Sequence, residues 1–353
     1  MSVIIYRYNT SPYSAKIENV LLFKNILYEQ VNVANVLPRP EITDLLGLTH
    51  RRIPILAIGN DIYCDTSARA SFPPSQNYGT IFPNKKHGGG GDTGLIKAFV
   101  FQWVDETLFP LGVGLVPWAS IPPAFPQRSR IQAMVAQRGN FPQLAIQPFG
   151  SPALHLQSAH PANPQQSLLE EQLSDGRDWL FETQTPSLAD ISVHFLLVWI
   201  KHRIPGSETV LDANTIPKLL EWLARMTDCI EQLKQKQPAI PELSGSDAAA
   251  QIVAAAFEPY TVVGFNEREA ERLGLKVGDE VSVSRNDDTG ASAFEFTSPM
   301  VEGWSAHKFG TVGKLVALNR EEFVIETTGS AGLVRCHFPR IGFATRLVSE
   351  LKK

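Results

Sequence analysis

The sequence predicts an α/β opening region, a mostly helical middle and a small β-rich end. A β-rich run, Val3 to Tyr8, is followed by a helical pattern and a second β-rich run, Leu27 to Val33. Apolar residues then recur at helical spacing in several segments of residues 95–257. After Pro259 the pattern shifts to short alternating runs separated by Gly, Asn and Asp, the signature of strands and turns. At 353 residues the chain also exceeds the size at which one hydrophobic core usually stops growing, so two or three domains are expected.

The first strand runs into Asn9-Thr10-Ser11-Pro12, a stretch of turn formers. From Tyr13 the residues Ile17, Val20 and Leu21 fall in helical phase, and the pattern ends near Asn25. A β-α-β opening implies parallel strands joined by a right-handed crossover. A short helical segment, Glu41 to Leu46, leads to the apolar run Ile53-Pro54-Ile55-Leu56-Ala57-Ile58. Pro54 stands where that strand begins, one of the few places a sheet tolerates proline. Gly59-Asn60-Asp61 then marks a tight turn into Ile62-Tyr63-Cys64-Asp65-Thr66, hence an antiparallel hairpin.

Residues 73–94 read as a linker, with Pro73-Pro74, Lys85-Lys86-His87 and the glycines Gly88 to Gly91. No Gly-Lys-Ser/Thr follows the glycines, so they do not form a phosphate cradle. Helical patterns are expected at Leu95 to Pro110, Ser167 to Leu173, Ser187 to His202, Ile216 to Lys234 and Ser246 to Phe257, around a proline-rich stretch at 117–164. Ser187 with Asp190, three residues on, forms an N-terminal capping arrangement with a structural role. Strands are expected at residues 280–284, 312–318, 322–327 and 333–338, with Leu273 to Glu280 a turn entering the first of them.

The composition is 43% hydrophobic and 19% charged, that of a soluble globular chain. Mean hydropathy is -0.08. No apolar run approaches the roughly 20 residues that span a bilayer, and a net charge of -4 gives no reason to expect nucleic acid or anionic lipid as a partner. The N-terminus lacks a basic n-region, so no secretory signal is expected. Cys64, Cys229 and Cys336 are far apart in sequence and without metal-type spacing; they read as buried free thiols in a reducing, cytoplasmic setting. The histidines, His194 and His202 among them, show no metal-ligand spacing, and no metal is expected.

Chemistry concentrates at three places. Ser11 stands at a strand-to-helix turn, where free backbone N–H groups and the helix dipole stabilise an anion. Both positions that would carry sulfur in a Cys-x-x-Cys turn, Ser11 and Ser14, are serine, which excludes disulfide exchange there. A serine hydroxyl can donate to a bound thiolate and lower its pKa, and serine is equally a good N-cap. Asp65-Thr66 supplies a carboxylate and a hydroxyl, a pair suited to a ligand end bearing an α-amino and an α-carboxylate group.

Taken in order, Ser11-Pro12-Tyr13, His50-Arg51-Arg52-Ile53-Pro54-Ile55-Leu56 and Cys64-Asp65-Thr66 resemble the glutathione transferases. The serine-type classes, which carry Ser-Pro-Phe, His-Lys-Lys-Ile-Pro-Val-Leu and Cys-Glu-Ser, are the most similar. The resemblance implies a thioredoxin-like glutathione-site domain at 1–72 and an all-α, transferase-like domain at 95–257, to which the phrase Pro186 to Ile191 also belongs. The β-rich unit at 258–353 is foreign to an ordinary transferase. The three-part layout resembles glutathione-transferase-like proteins of fungi, some of which act in secondary metabolism.

By this resemblance Ser11 matches the thiol-activating serine, with Tyr8 a rival at the end of the first strand. Ile53, before a cis Pro54, matches the residue whose backbone pairs with the cysteinyl part of glutathione. Asp65 and Thr66 match the pair holding the γ-glutamyl end, and each departs from the family's Glu-Ser. Arg52 stands where those classes have lysine, and Arg39 lies near a lysine that contacts the glycine carboxylate. The resemblance implies an enzyme, acting as a homodimer, that uses glutathione against a hydrophobic electrophile bound between the domains against Phe99, Trp103 and Phe109. The alternatives are a transferase-like lyase or isomerase of natural-product biosynthesis, with or without glutathione, and a non-catalytic binding protein.

Overall fold

The structure is a computed structural model and describes residues 2–35, 37–65, 78–116, 164–286 and 310–351. Thr66, residues 73–77 of the expected linker and residues 117–163 of the proline-rich stretch lie outside the described residues. The chain forms two compact units, one made of Met1–Ser14, Leu27–Gln76 and Ala239–Lys353, the other of Ala15–Ile26 and Asn77–Pro238.

The first unit is built on β1 (Val3–Arg7), β2 (Glu29–Asn32), β3 (Ile55–Ile58) and β4 (Asp61–Tyr63). Helix α1 (Pro12–Phe23), which belongs to the second unit from Ala15 onward, connects β1 to β2, and these two strands are parallel. Helix α2 (Pro40–Thr43) is shorter than its expected segment. β3 runs antiparallel to β1 and forms a hairpin with β4. Gly59 supplies the positive φ of 61° that this tight turn requires.

The strands β5 (Glu280–Arg285), β6 (Thr311–Leu318), β7 (Glu322–Gly329) and β8 (Gly332–Pro339) form where alternation predicts them, and a fifth, β9 (Phe343–Leu347), adds to them. These strands continue the first sheet: the order is β2-β1-β3-β4-β8-β7-β6-β5-β9. The join is a parallel pairing of β4 with β8, Asp61 opposite Arg335, Ile62 opposite Cys336 and Tyr63 opposite His337. One core crosses it, with Ile4, Tyr6, Ile55 and Ile62 in the same buried cluster as Ile325, Val334 and Phe338. The segment expected as a separate unit at 258–353 therefore shares both sheet and core with the opening region. The physical reason is that β4 carries a row of backbone groups needing partners, and β8 provides them. Backbone bonds from Ser330 and Ala331 to the carbonyls of Asp44 and Leu45 add a second attachment.

Two helices also belong here. Helix 245–254 has Ser244 as its N-cap, accepting from the Asp247 amide, and buries Ala248, Ala249 and Ile252 in this core, although the sequence places it with the helical region. A helix at 267–273, absent from the sequence reading, is capped by Asn266 and closed by Gly274 at φ 68°.

The second unit is helical. Its expected first segment, Leu95 to Pro110, is a composite of an α-helix (Thr93–Ala98), a π-helical stretch (Phe99–Leu108) and another α-helix (Phe109–Gly114). Helices at 164–173, 188–203 and 217–234 follow. The Ser187–Asp190 capping box forms, and the buried Asp190 carboxylate also accepts from the Leu180 amide and the Trp222 indole. Lys16 of α1, 2% exposed, pairs with Asp105 of the π-helical stretch at 3.0 Å. Among the described residues no helix is long and apolar enough to cross a membrane.

Candidate functional site

The topology gathers the sequence-derived residues at one end of the adjacent strands β1, β3 and β4. β1 and β4 run in the same direction and β3 runs against both. The residues that follow β1 (Tyr8, Ser11), precede β3 (Arg52, Ile53, Pro54) and follow β4 (Cys64, Asp65) therefore emerge together. The Ile53-Pro54 peptide bond is cis, as expected, and so is Leu37-Pro38.

Ser11 is 5% exposed and caps α1: its Oγ accepts from the Ser14 amide at 3.2 Å, and its own amide donates to the Tyr8 carbonyl at 3.0 Å. Its side chain is also hydrogen-bonded to the Tyr8 phenol. Burial raises the Tyr8 pKa, and this outweighs the opposing pull of Arg39 and of the Ser11 bond. Tyr8 therefore keeps its proton at neutral pH. The two hydroxyls form one coupled pair at a helix N-terminus, the location where backbone N–H groups favour an anion.

The Arg39 guanidinium lies 5.6 Å from the Tyr8 ring centroid. Its nitrogens donate to the backbone carbonyls of Ala34, Asn35 and Arg51. It thus ties the segment after β2 to the segment before β3, while its charge faces Tyr8. Burial lowers its pKa most, with Arg51 adding to that effect. Next to it lies a cavity of about 150 Å³ lined by Leu37, Arg39, Ile42, Thr43, Thr49, His50 and Arg51.

Asp65 receives a cation that the sequence reading missed. Arg285, the last residue of β5, places Nη1 2.7 Å from an Asp65 carboxylate oxygen. The two are 220 positions apart, and no spacing or motif in the sequence links them. The fold also brings the free thiol of Cys64, just past β4, against that of Cys336 on β8; burial raises the Cys64 thiol pKa well above its usual value, and the bond to Cys336 adds to the rise. In the helical unit Phe99 stacks on Trp103 at 4.9 Å and meets Phe181 edge-on at 5.4 Å, while Phe109 lies 6.4 Å from Trp199.

Residues 5–68 match the family described as glutathione S-transferase, N-terminal domain, and residues 159–235 match a domain of unknown function (DUF7962). The chain is similar to the crystal structure of a GST-like protein from Pseudomonas syringae, at 26% identity over 98% of this chain and 100% of that one, with a TM-score of 0.65. It also matches the Tau class glutathione S-transferase of mango, Mangifera indica (15% identity, 66% of this chain and 96% of that one, TM-score 0.40). A glutathione S-transferase of Methylobacillus flagellatus with glutathione bound matches at 19% identity over 68% of this chain and 100% of that one, TM-score 0.39. No curated protein matches. The family match and the full-length likeness support a glutathione-transferase-like chain with a thioredoxin-like opening and a helical region.

Proposed function

We propose that this chain is a glutathione-transferase-like enzyme of the serine type, which ionises the thiol of glutathione and directs the thiolate at a hydrophobic electrophile. The coupled hydroxyls of Ser11 and Tyr8 at the N-terminus of α1 carry this reading. The Ser11 oxygen accepts from the Ser14 amide, and its hydroxyl proton, shared with the Tyr8 phenol, turns to the thiolate when glutathione binds. A donor aimed at the thiolate favours the ionised form, and the helix dipole acts in the same direction. The thiol proton passes to solvent, the sulfur attacks the electrophilic carbon and the leaving group departs with its electron pair.

In this reading the backbone of Ile53, before Pro54, pairs with the cysteinyl part, Asp65 and Thr66 hold the γ-glutamyl end, Arg39 lies toward the glycine carboxylate, and Arg52 stands where those classes have lysine. Arg39 acts by holding its loop and by its charge. The aromatic cluster of Phe99, Trp103 and Phe181 supports a hydrophobic acceptor. The buried thiols Cys64 and Cys336 suit a reducing, cytoplasmic setting.

The Asp65–Arg285 pair favours a second reading, a transferase-like lyase or isomerase that uses this site for a ligand other than glutathione. Calorimetric titration with glutathione, with the thiolate absorbance of the bound form followed against pH, decides between them. Saturable binding with the thiol pKa below the roughly 8.5 of a free cysteine is expected. Absence of binding at millimolar glutathione would overturn the first reading.

A further inference from the structure

Resting on the reading of this site as one for a γ-glutamyl-cysteinyl thiol, we infer that its third position takes a bulky apolar residue rather than glycine. The C-terminal carboxylate of that residue meets Arg39, and its side chain fills the cavity beside Arg39. The strand order β2-β1-β3-β4 sets the direction of such a peptide. With the γ-glutamyl end at Asp65, past β4, and the cysteinyl part at Ile53, ahead of β3, the third residue continues toward the segment that follows β2. Arg39 belongs to that segment and donates across to the Arg51 carbonyl, ahead of β3.

Arg39 is a buried cation that lacks a carboxylate. It is 6% exposed, and its hydrogen bonds go to the backbone carbonyls of Ala34, Asn35 and Arg51. Among the described residues it makes no ion pair, and the charges of Glu41 and Arg51 act on it with opposite effect. A guanidinium carries five N–H groups, so one remains on each terminal nitrogen for a ligand carboxylate. An uncompensated buried charge is costly, and a bound carboxylate relieves that cost. The cavity beside Arg39 sets the size and polarity of the side chain. Its volume is about 150 Å³, close to that of an apolar cavity that holds a benzene molecule. Its walls are mostly apolar, with Leu37, Ile42, Thr43 and Thr49 among them. The Thr43 hydroxyl is engaged by the Arg39 carbonyl and the Asp44 carboxylate, and the Thr49 hydroxyl faces Thr311 of β6. Glycine, which has no side chain, leaves this volume unfilled.

Three probes test this by calorimetric titration of the full chain: glutathione, γ-glutamyl-cysteinyl-leucine and γ-glutamyl-cysteinyl-leucinamide. The leucine peptide is expected to bind at least about tenfold more tightly than glutathione, the effect of burying one apolar side chain. The amide, which has no C-terminal charge, should bind at least about tenfold more weakly than the leucine peptide. Thr49→Phe, which fills part of the cavity, should bring the ratio of leucine-peptide to glutathione affinity toward one. A leucine peptide that binds no more tightly than glutathione overturns the inference, as does an amide that matches the acid or an unchanged ratio in Thr49→Phe. The two wild-type comparisons decide even if Thr49→Phe fails to fold. Any of these results, with glutathione still binding, leaves the proposed function standing. Binding of the leucine peptide without glutathione keeps the inference and removes glutathione as the co-substrate; failure of all three probes to bind removes both readings.

Discussion

His337 on β8 bridges carboxylates from two other strands: Nε2 lies 3.0 Å from Asp61 of β4, and Nδ1 lies 2.9 Å from Glu322 of β7. The imidazole is 2% exposed and stacks on Tyr63 at 4.5 Å. Arg335 stands 4.0 Å from Asp61 and 3.3 Å from Glu326, and donates to the Glu258 carbonyl, while the Glu258 amide donates to Asp61. This charged cluster sits on the β4–β8 join, where the N-terminal strands meet the C-terminal ones.

The cluster predicts a pH-dependent stability. Burial alone would lower the His337 pKa, but the bonds to Asp61 and Glu322 outweigh it, and the net shift is upward from 6.5. A histidine whose folded pKa exceeds its unfolded value contributes stability that is complete below about 6.5 and is lost as pH rises through the folded pKa. The melting temperature of the full chain should therefore fall from pH 6.5 upward. His337→Gln should be less stable by on the order of 3 kcal/mol at pH 6.5, because two buried carboxylates lose their cation, and the difference from wild type should shrink as pH rises. Parallel melting profiles for the two proteins between pH 6 and 9 would rule out this role.

The shared sheet predicts that the C-terminal strands cannot be removed. A chain ending at Phe257 exposes the β4 edge and loses the Val334, Cys336 and Phe338 side of the core. Such a chain should be recovered only as aggregate, or should show no cooperative melt by circular dichroism. A point variant probes the second attachment, where Ser330 and Ala331 meet the carbonyls of Asp44 and Leu45. A Cβ at Gly329 would overlap the Leu45 carbonyl, which is backbone and cannot swing aside. Gly329→Ala should cost about 1–3 kcal/mol in urea unfolding, the usual range for overpacking. A soluble truncated chain that melts cooperatively would show instead that the strands form an independent unit.

Local signals in the sequence located the elements, while pairings between distant segments were hidden. The β-rich composition of Val3 to Tyr8, the turn at Gly59 and the alternation at 312–318 and 322–327 each depend on neighbouring residues, and each corresponds to an observed element. The pairing of β4 with β8 and the contact of Asp65 with Arg285 join segments more than two hundred positions apart. Nothing in a strand's own pattern names its partner, because any half-buried strand presents the same alternation. β9 was missed because Phe343 to Leu347 is short and includes the charged Arg346. The π-helical stretch was missed because Phe99, Trp103 and Leu108 fit an ordinary amphipathic pattern. At the candidate site the sequence marked Ser11, Tyr8 and Asp65 individually, and their couplings to each other and to Arg285 required the fold.

Asp190 organises the helical unit, and its loss should be costly. Its carboxylate accepts from the Leu180 amide at 2.9 Å, the Ser187 amide at 2.9 Å, the Ser187 hydroxyl at 2.7 Å and the Trp222 indole at 3.1 Å. Burial raises its pKa more than these four bonds lower it. Asp190→Ala leaves several buried donors without an acceptor and should destabilise the chain by about 3 kcal/mol or more. Asp190→Asn retains one acceptor oxygen and should cost less. Equal losses for the two variants in urea unfolding would mean that packing around Asp190, rather than its bonds, matters.

The coupled hydroxyls give the closing prediction. Ser11→Ala removes both the cap on the Ser14 amide and the donor proposed for the thiolate, while Asp65 keeps its contacts. Losing the cap should cost about 1 kcal/mol of stability. Losing a donor that acts on the developing charge should lower kcat/KM toward a generic electrophile by roughly ten- to a thousandfold, with little change in glutathione affinity. Tyr8→Phe removes a phenol that burial keeps protonated but leaves the serine hydroxyl in place, so its loss of rate should be smaller. Ser11→Thr retains a hydroxyl and should restore part of the activity, which separates donation from mere capping geometry. The decisive measurement is the thiolate absorbance of bound glutathione against pH: the midpoint should rise in Ser11→Ala and move less in Tyr8→Phe. The reverse order transfers activation of the thiol to Tyr8, and no movement in either variant means that glutathione is not ionised at this helix.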